Sequence, residues 1–200
     1  MKGYSFSPFF DEFRKVIIFI SISFTLIFIT IKMKFIEANE KDIPLIQNLA
    51  ERSWKTAYAE ILSPEQIDYM LGTMYSRNEI TQQMQNTDYH YYLIFDEINN
   101  SFEGFIGFEH GFQEYTTKLH RIYLVPESKG KGIGRTAIDF LKEKVVSAAD
   151  RKIILNVNKN NAAKKFYESQ GFKVSNEVVV NIGNGFVMDD YEMELYVTYN

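Results

Sequence analysis

The sequence predicts an α/β (α+β layered) fold, a mixed, mostly antiparallel central sheet with helices on both faces. Three observations predict it. Strand-like runs follow one another between His90 and Val125, helical patterns of period 3.6 lie before and after them, and a Gly183-Asn184-Gly185 turn joins two further strands near the C-terminus. No internal repeat, linker or low-complexity stretch interrupts the pattern, so one domain is expected over residues 33–200 behind an N-terminal extension, 1–32.

In chain order, Met33 to Ala38 alternates as a strand, and a helix follows with Asp42 at its cap and Pro44 in its first turn. Ile43, Ile46, Leu49 and Ala50 form its apolar stripe. A second helix after Ser63 turns Ile67, Met70 and Leu71 inward, with Trp54 and Tyr58 between the two patterns. Tyr91 to Phe95 and Phe102 to Phe112 read as a hairpin around Asn99-Asn100, and Lys118 to Val125 as the next strand, ended by Pro126. A loop at Lys129 to Gly134 leads into a helix from Thr136 to Ala148, buried through Ile138, Leu141 and Val145. Lys152 to Val157 is a short apolar strand, and the helix Asn161 to Gln170 is stopped by Gly171. Strands from Phe172 to Val180 and through Tyr191, Met193, Leu195 and Val197 complete the chain.

The absence of cysteine excludes disulfides, thiolate metal sites and a cysteine nucleophile, and three scattered histidines argue against a zinc site, so no metal is expected. The formal charge is −4. Residues 1–32 hold Lys2, Arg14, Lys15 and Lys32 against Asp11 and Glu12, a net of +2 that leaves −6 on the remainder. An acidic body disfavours nucleic acid and suits a cationic substrate. The uncharged run from Val16 to Ile31 falls slightly short of the roughly 17 to 25 residues of a spanning helix. Acidic residues before it and the lack of a small-residue cleavage site make it a poor secretory signal. The preferred reading is translation from Met33, where the domain pattern begins, and a cytoplasmic protein; the alternative is a membrane-anchored protein with its domain on the cytosolic side. A membrane is therefore a partner only if residues 16–31 are a real anchor. A homodimer stays open.

The segment IYLVPESKGKGIGRTAIDFL, residues 122–141, carries the chemistry. Gly130, Gly132 and Gly134 allow close backbone approach, and the following helix aims unpaired amides at the loop, a setting for an anion. Lys129, Lys131 and Arg135 add positive charge, which points to a pyrophosphate. The spacing fits neither the nucleotide-triphosphate loop nor the dinucleotide fingerprint. A plain helix-capping turn is the competing reading.

Lys129-Gly130-Lys131-Gly132-Ile133-Gly134 resembles the coenzyme A signature of the GNAT acetyltransferase superfamily, Gln/Arg-x-x-Gly-x-Gly/Ala, with Lys129 in place of the usual first residue. Downstream, Asn160, Ala163, Tyr167, Glu168, Gly171 and Phe172 are similar to the family's second signature. The resemblance spans Met33 to about Val197 and implies that the loop, Lys129 to Arg135, binds acetyl-CoA, with the backbone of Tyr123, Leu124 and Val125 beside the pantetheine arm. It also implies direct attack of a small-molecule amine on the bound thioester, a carbonyl polarised by strand amides, and Tyr167 as the acid that protonates the departing thiolate. The segment around Trp54 and Tyr58 and the acidic stretch near the C-terminus are loosely similar to bacterial polyamine acetyltransferases. A non-catalytic module that binds or senses acyl-CoA is the rival from another class.

Each residue also has a plainer reading. Tyr167, spaced with Ala163 and Phe166, suits a core position. His120 is the candidate base because imidazole titrates near neutral pH and Asn156, on the strand after the loop helix, cannot; it is equally a half-exposed strand histidine. Asn160, favoured over Asn161 by spacing back from Tyr167, is a candidate for the coenzyme arm or a helix cap. Trp54, Tyr58 and the Asp189-Asp190-Tyr191 group are candidates for the acceptor pocket, the aromatic face and the carboxylates attracting an ammonium, against core and solvated-turn readings.

Overall fold

The computed structural model of the chain describes residues 33–198. The apolar run at 16–31, the candidate anchor, lies outside them. Among the described residues no helix is long and apolar enough to cross a membrane.

A seven-stranded sheet runs in the order β1-β2-β3-β4-β5-β7-β6. Its strands are β1 (Met33–Glu37), β2 (Tyr89–Asp96), β3 (Ser101–Gln113), β4 (Thr116–Leu124), β5 (Lys152–Asn158), β6 (Lys173–Gly183) and β7 (Phe186–Tyr196). All neighbours pair antiparallel except β4 and β5. Helices α1 (Ile43–Ala57), α2 (Pro64–Met74) and α3 (Arg77–Gln85) cover one face, and α4 (Ile133–Ser147) and α5 (Ala163–Ser169) the other. The mixed, mostly antiparallel sheet with helices on both faces is thus the observed architecture.

Strand alternation divides the core. Tyr91, Leu93 and Phe105 pack with Ile46, Leu49 and Trp54 of α1, whereas Tyr92, Ile106 and Phe108 pack with Ile138, Leu141 and Val145 of α4. The Asn99-Asn100 and Asn184 turns place Asn100 and Asn184 at φ 52° each, the left-handed backbone that asparagine tolerates.

Three local expectations shift. Asp42 does not cap α1 through its side chain; Asn39 opens a preceding single turn, its side chain accepting from the Lys41 amide while Asp42 Oδ2 accepts from the Asn39 amide at 2.9 Å. Helix α3 has no counterpart in the sequence reading, because its sequence RNEITQQMQ is polar and buries Ile80 alone. Helix α4 starts at Ile133, within the expected loop, and α5 at Ala163, because Asn161 Oδ1 accepts from the Ala163 amide at 2.8 Å and ends the link there.

Candidate active site

The site follows from an irregularity in β4. Between the pairs Gly107↔Arg121 and Phe108↔Leu119 the register slips, leaving His120 as an extra residue, a β-bulge. Parallel pairing of β4 with β5 ends at the same point, at Leu119↔Leu155, although β4 runs on to Leu124 and β5 to Asn158. The bulge bends β4 away from β5, and the two strands part around a cleft of about 1560 Å³.

The parted edge of β4 has free hydrogen-bonding groups. The Val125 amide donates to the Glu103 carbonyl at 2.9 Å. Because these groups alternate in direction along a strand, those of Val125 and Tyr123 turn to β3 and those of Leu124 and Ile122 turn to the cleft. Of the three expected pantetheine contacts, Leu124 presents its backbone to the opening; Ile122, absent from the sequence reading, is the second residue to do so.

Next to this edge lies the glycine loop. Gly130 and Gly132 have φ of 79° and 76°, left-handed values, and Gly132 is the N-cap of α4. The first helical bond runs from the Thr136 amide to the Gly132 carbonyl, so the amides of Ile133, Gly134 and Arg135 have no acceptor within the helix. These residues line the cleft, an arrangement suited to an anion. Gly134 is required by closeness: a Cβ there would lie 3.1 Å from the Phe166 ring of α5. Lys129 and Arg135 stand exposed on the rim. Lys131 is drawn inward, its Nζ 3.4 Å from Glu103, a buried carboxylate that also accepts from Ser101 and Ser128 at 2.6 and 2.7 Å. Its charge is therefore shared between the loop and the fold. Gly134→Val, which forces Phe166 outward, is expected to weaken coenzyme A binding at least tenfold in calorimetry while the far-ultraviolet circular dichroism stays unchanged.

The opposite wall comes from β5 and α5. Tyr167, 8 % exposed, lines the cleft with Phe166 and Asn161. Burial holds its phenol well above the ordinary tyrosine value, and the neighbouring Tyr58 adds to the shift. Tyr58, at the end of α1, lines the cleft from the other face of the sheet; burial pushes its hydroxyl up to about 12, with Tyr123, Asn161 and Asp190 all acting on it.

Two candidates fall elsewhere. Trp54 is 2 % exposed inside the core, 4.6 Å from the Tyr58 ring and 5.7 Å from Tyr123, and supports the cleft wall without forming it. Asn160 is turned into the link, its amide donating to Asn158 Oδ1 at 3.0 Å, and Asn161 takes the place beside the cleft. His120 lines the cleft at the bulge, but its Nε2 contacts Glu109 Oε2 at 3.0 Å and its ring stacks on Tyr89 at 4.8 Å. Burial lowers it to about 4, against the opposing pull of Glu109. No group of His, Cys, Asp and Glu suited to a metal ion occurs among the described residues.

Residues 58–195 match the family described as the acetyltransferase (GNAT) domain. The chain belongs to the GNAT acetyltransferases. A spermidine N(1)-acetyltransferase from Thermoplasma acidophilum is 29 % identical to this acetyltransferase over 154 residues, 74 % of this chain and 91 % of the relative. The crystal structure of the PaiA N-acetyltransferase from the same organism in complex with coenzyme A has 25 % identity and a TM-score of 0.69, covering 82 % of this chain and 99 % of that one. The spermidine/spermine N-acetyltransferase SpeG of Vibrio cholerae, at 20 % identity and a TM-score of 0.60 over 82 % of this chain and 93 % of its own, shares the fold.

Proposed function

We propose that this acetyltransferase moves the acetyl group of acetyl-CoA to a primary amine of a small molecule, a polyamine in the first instance, by direct attack, and that residues 33–200 form its catalytic unit. The observation that carries the reading is the parted edge of β4 running into the amide cradle of α4. An extended amide-bearing arm fits the first and a diphosphate the second, in the order in which coenzyme A presents them. The cleft exceeds the ~300–1,000 Å³ of an ordinary small-ligand pocket, as a large donor together with an acceptor requires.

Bound acetyl-CoA supplies an activated carbonyl and a thiolate leaving group. The chain supplies position and polarisation. The open amides of Leu124 and Ile122 hold the donor arm against the strand, and a strand amide at the bulge end of the cleft polarises the carbonyl. Tyr167, projecting from the α5 wall, donates a hydrogen bond to the leaving sulfur. An amine approaches from the side of Tyr58 and Asn161. His120, the base expected from the sequence, has its Nε2 engaged with Glu109. The polyamine choice is supported by the spermidine acetyltransferase named above and by the acidic balance of the chain. Because acetyl-CoA is a cytosolic metabolite, the proposed compartment is the cytoplasm.

Purified protein should release free thiol from acetyl-CoA on addition of spermidine or spermine, and less or none with amino acids, aminoglycosides and peptides. A protein that binds acetyl-CoA in calorimetry but releases thiol with no amine is a binding or sensing module, and the transferase reading is then wrong.

A further inference from the structure

Amine acetylation starts from an ammonium ion, so a group must take up a proton before attack. Asp190 stands apart from every other carboxylate described. It lies on β7 opposite Asn158 of β5 and Val178 of β6, is 4 % exposed, and its Oδ1 is buried without a hydrogen-bond donor. A buried carboxylate oxygen with no partner is unfavourable to folding, and such groups collect at functional sites.

Its place in the fold gives it a use. Alternation along β7 puts Asp190 on the same face as Met188, which packs into the core under α1 and α2, and opposite Tyr191 and Met193, which pack towards α4 and α5. Tyr58 closes α1 on that same face, and the Asp190 charge acts on its hydroxyl. Tyr58 also interacts with Tyr167 across the cleft. Tyr58 thus lines the cleft on the face of the sheet that also carries Asp190, whose Oδ1 has no donor.

We propose that Asp190 is the proton acceptor of the reaction and works through Tyr58, which touches the amine. The inference rests on the transferase reading above. In the step, an N–H bond of the ammonium breaks and its proton passes to the Tyr58 oxygen, while the Tyr58 O–H proton passes to Asp190, directly or through one bound water. The balance is ammonium plus carboxylate in, neutral amine plus carboxylic acid out; Tyr58 ends as it began, and the proton leaves to solvent after turnover. The ammonium charge also gives Asp190 the partner it lacks, which selects cationic acceptors.

Burial pushes the Asp190 carboxyl up to about 6; Asp189 on its own strand adds to this, and Lys159 on the link after β5 opposes it. Lys159 is itself held at 2.7 Å by both Asp189 and Glu177 of β6, so its charge is shared between those two carboxylates. Asp190 in turn acts on Tyr58 at the end of α1. A carboxylate of that basicity is ionised at pH 7 and accepts a proton more readily than an ordinary one.

The test is kcat/KM for spermidine against pH, with saturating acetyl-CoA. Asp190 must be ionised, so wild-type activity should be present above about pH 6 and fall tenfold per pH unit below it. Asp190→Asn should remove that limb, lower kcat at pH 7 by roughly 10²-fold, and leave acetyl-CoA affinity unchanged. Its deficit should shrink with an acceptor amine of low basicity, already neutral at pH 7. Tyr58→Phe should reproduce the loss, and the double variant should be no worse than either; it carries the test if Asp190→Asn fails to fold by circular dichroism. His120→Ala should keep the acid limb. An active wild-type protein whose Asp190→Asn variant retains both limb and turnover overturns the relay and leaves the transferase reading standing. A wild-type protein that releases thiol with no amine overturns both.

Discussion

Replacing Tyr167 by phenylalanine is expected to lower kcat about 10²-fold and to leave the Kd for coenzyme A unchanged. The ring is held by Phe166 and Phe172, with centroids 5.3 and 5.6 Å away, and phenylalanine preserves those contacts, so the substitution removes the hydroxyl alone. Burial keeps that hydroxyl protonated throughout the working range. A thiol, at roughly 8.5, is a stronger acid than such a phenol, so Tyr167 shares its proton with the developing thiolate through a charge-assisted hydrogen bond. That reasoning places the effect near the lower end of general-acid contributions, ~10²–10⁴. Steady-state thiol release paired with calorimetry separates turnover from binding. Equal kcat in the two proteins returns Tyr167 to a packing role.

Gly104→Ala is expected to cost about 3 kcal/mol of stability, at the upper end of overpacking penalties, and to lower Tm by roughly 6–12 °C at ~2–4 °C per kcal/mol for a domain of this size. Gly104 pairs with Leu124 at the cleft end of β4. A Cβ added there would stand 2.1 Å from the Tyr123 carbonyl oxygen and 2.9 Å from the Leu124 Cα, both backbone atoms that move only with the strand. The displaced strand is the one whose open edge is assigned to the donor arm, so coenzyme A affinity should fall with stability. Gly107, three residues further along β3, is the comparison: its Cβ would meet the Tyr91 ring at 3.2 Å, a looser approach to a side chain rather than to backbone, and Gly107→Ala should be milder. Thermal melts of the two variants side by side decide the point; a Gly104→Ala protein as stable as wild type contradicts the close approach.

The loop from Lys129 to Arg135 was legible because its signal is local. Glycines with left-handed backbone, flanking cations and a helix start lie within a few residues of one another, and the structure gathers all of them at the cleft mouth. Tyr167 was legible for the same reason, since α5 is short and its spacing from Ala163 sets one face. Lys131 shows the limit of local reading: its charge is evident in sequence, but its partner, Glu103, sits on a different strand. Trp54 and Tyr58 show it again. Read as lying between two helical patterns, they separate into a core side chain and a cleft side chain because α1 runs on through Trp54 and ends at Ala57.

What the sequence determined by itself was the order and type of most elements, the mixed sheet with helices on both faces, and the glycine-rich loop with its flanking cations, because apolar period, turn chemistry and glycine placement act over three to ten residues. What the tertiary structure alone decided was which faces meet. The bulge at His120 parts β4 from β5, turns that imidazole onto Tyr89, and opens the edge at Ile122 and Leu124. Asp190 comes onto the same face of the sheet as Tyr58 across more than a hundred residues of chain. Strand register and sheet order create such neighbours, and neither leaves a mark on the residues flanking them in sequence.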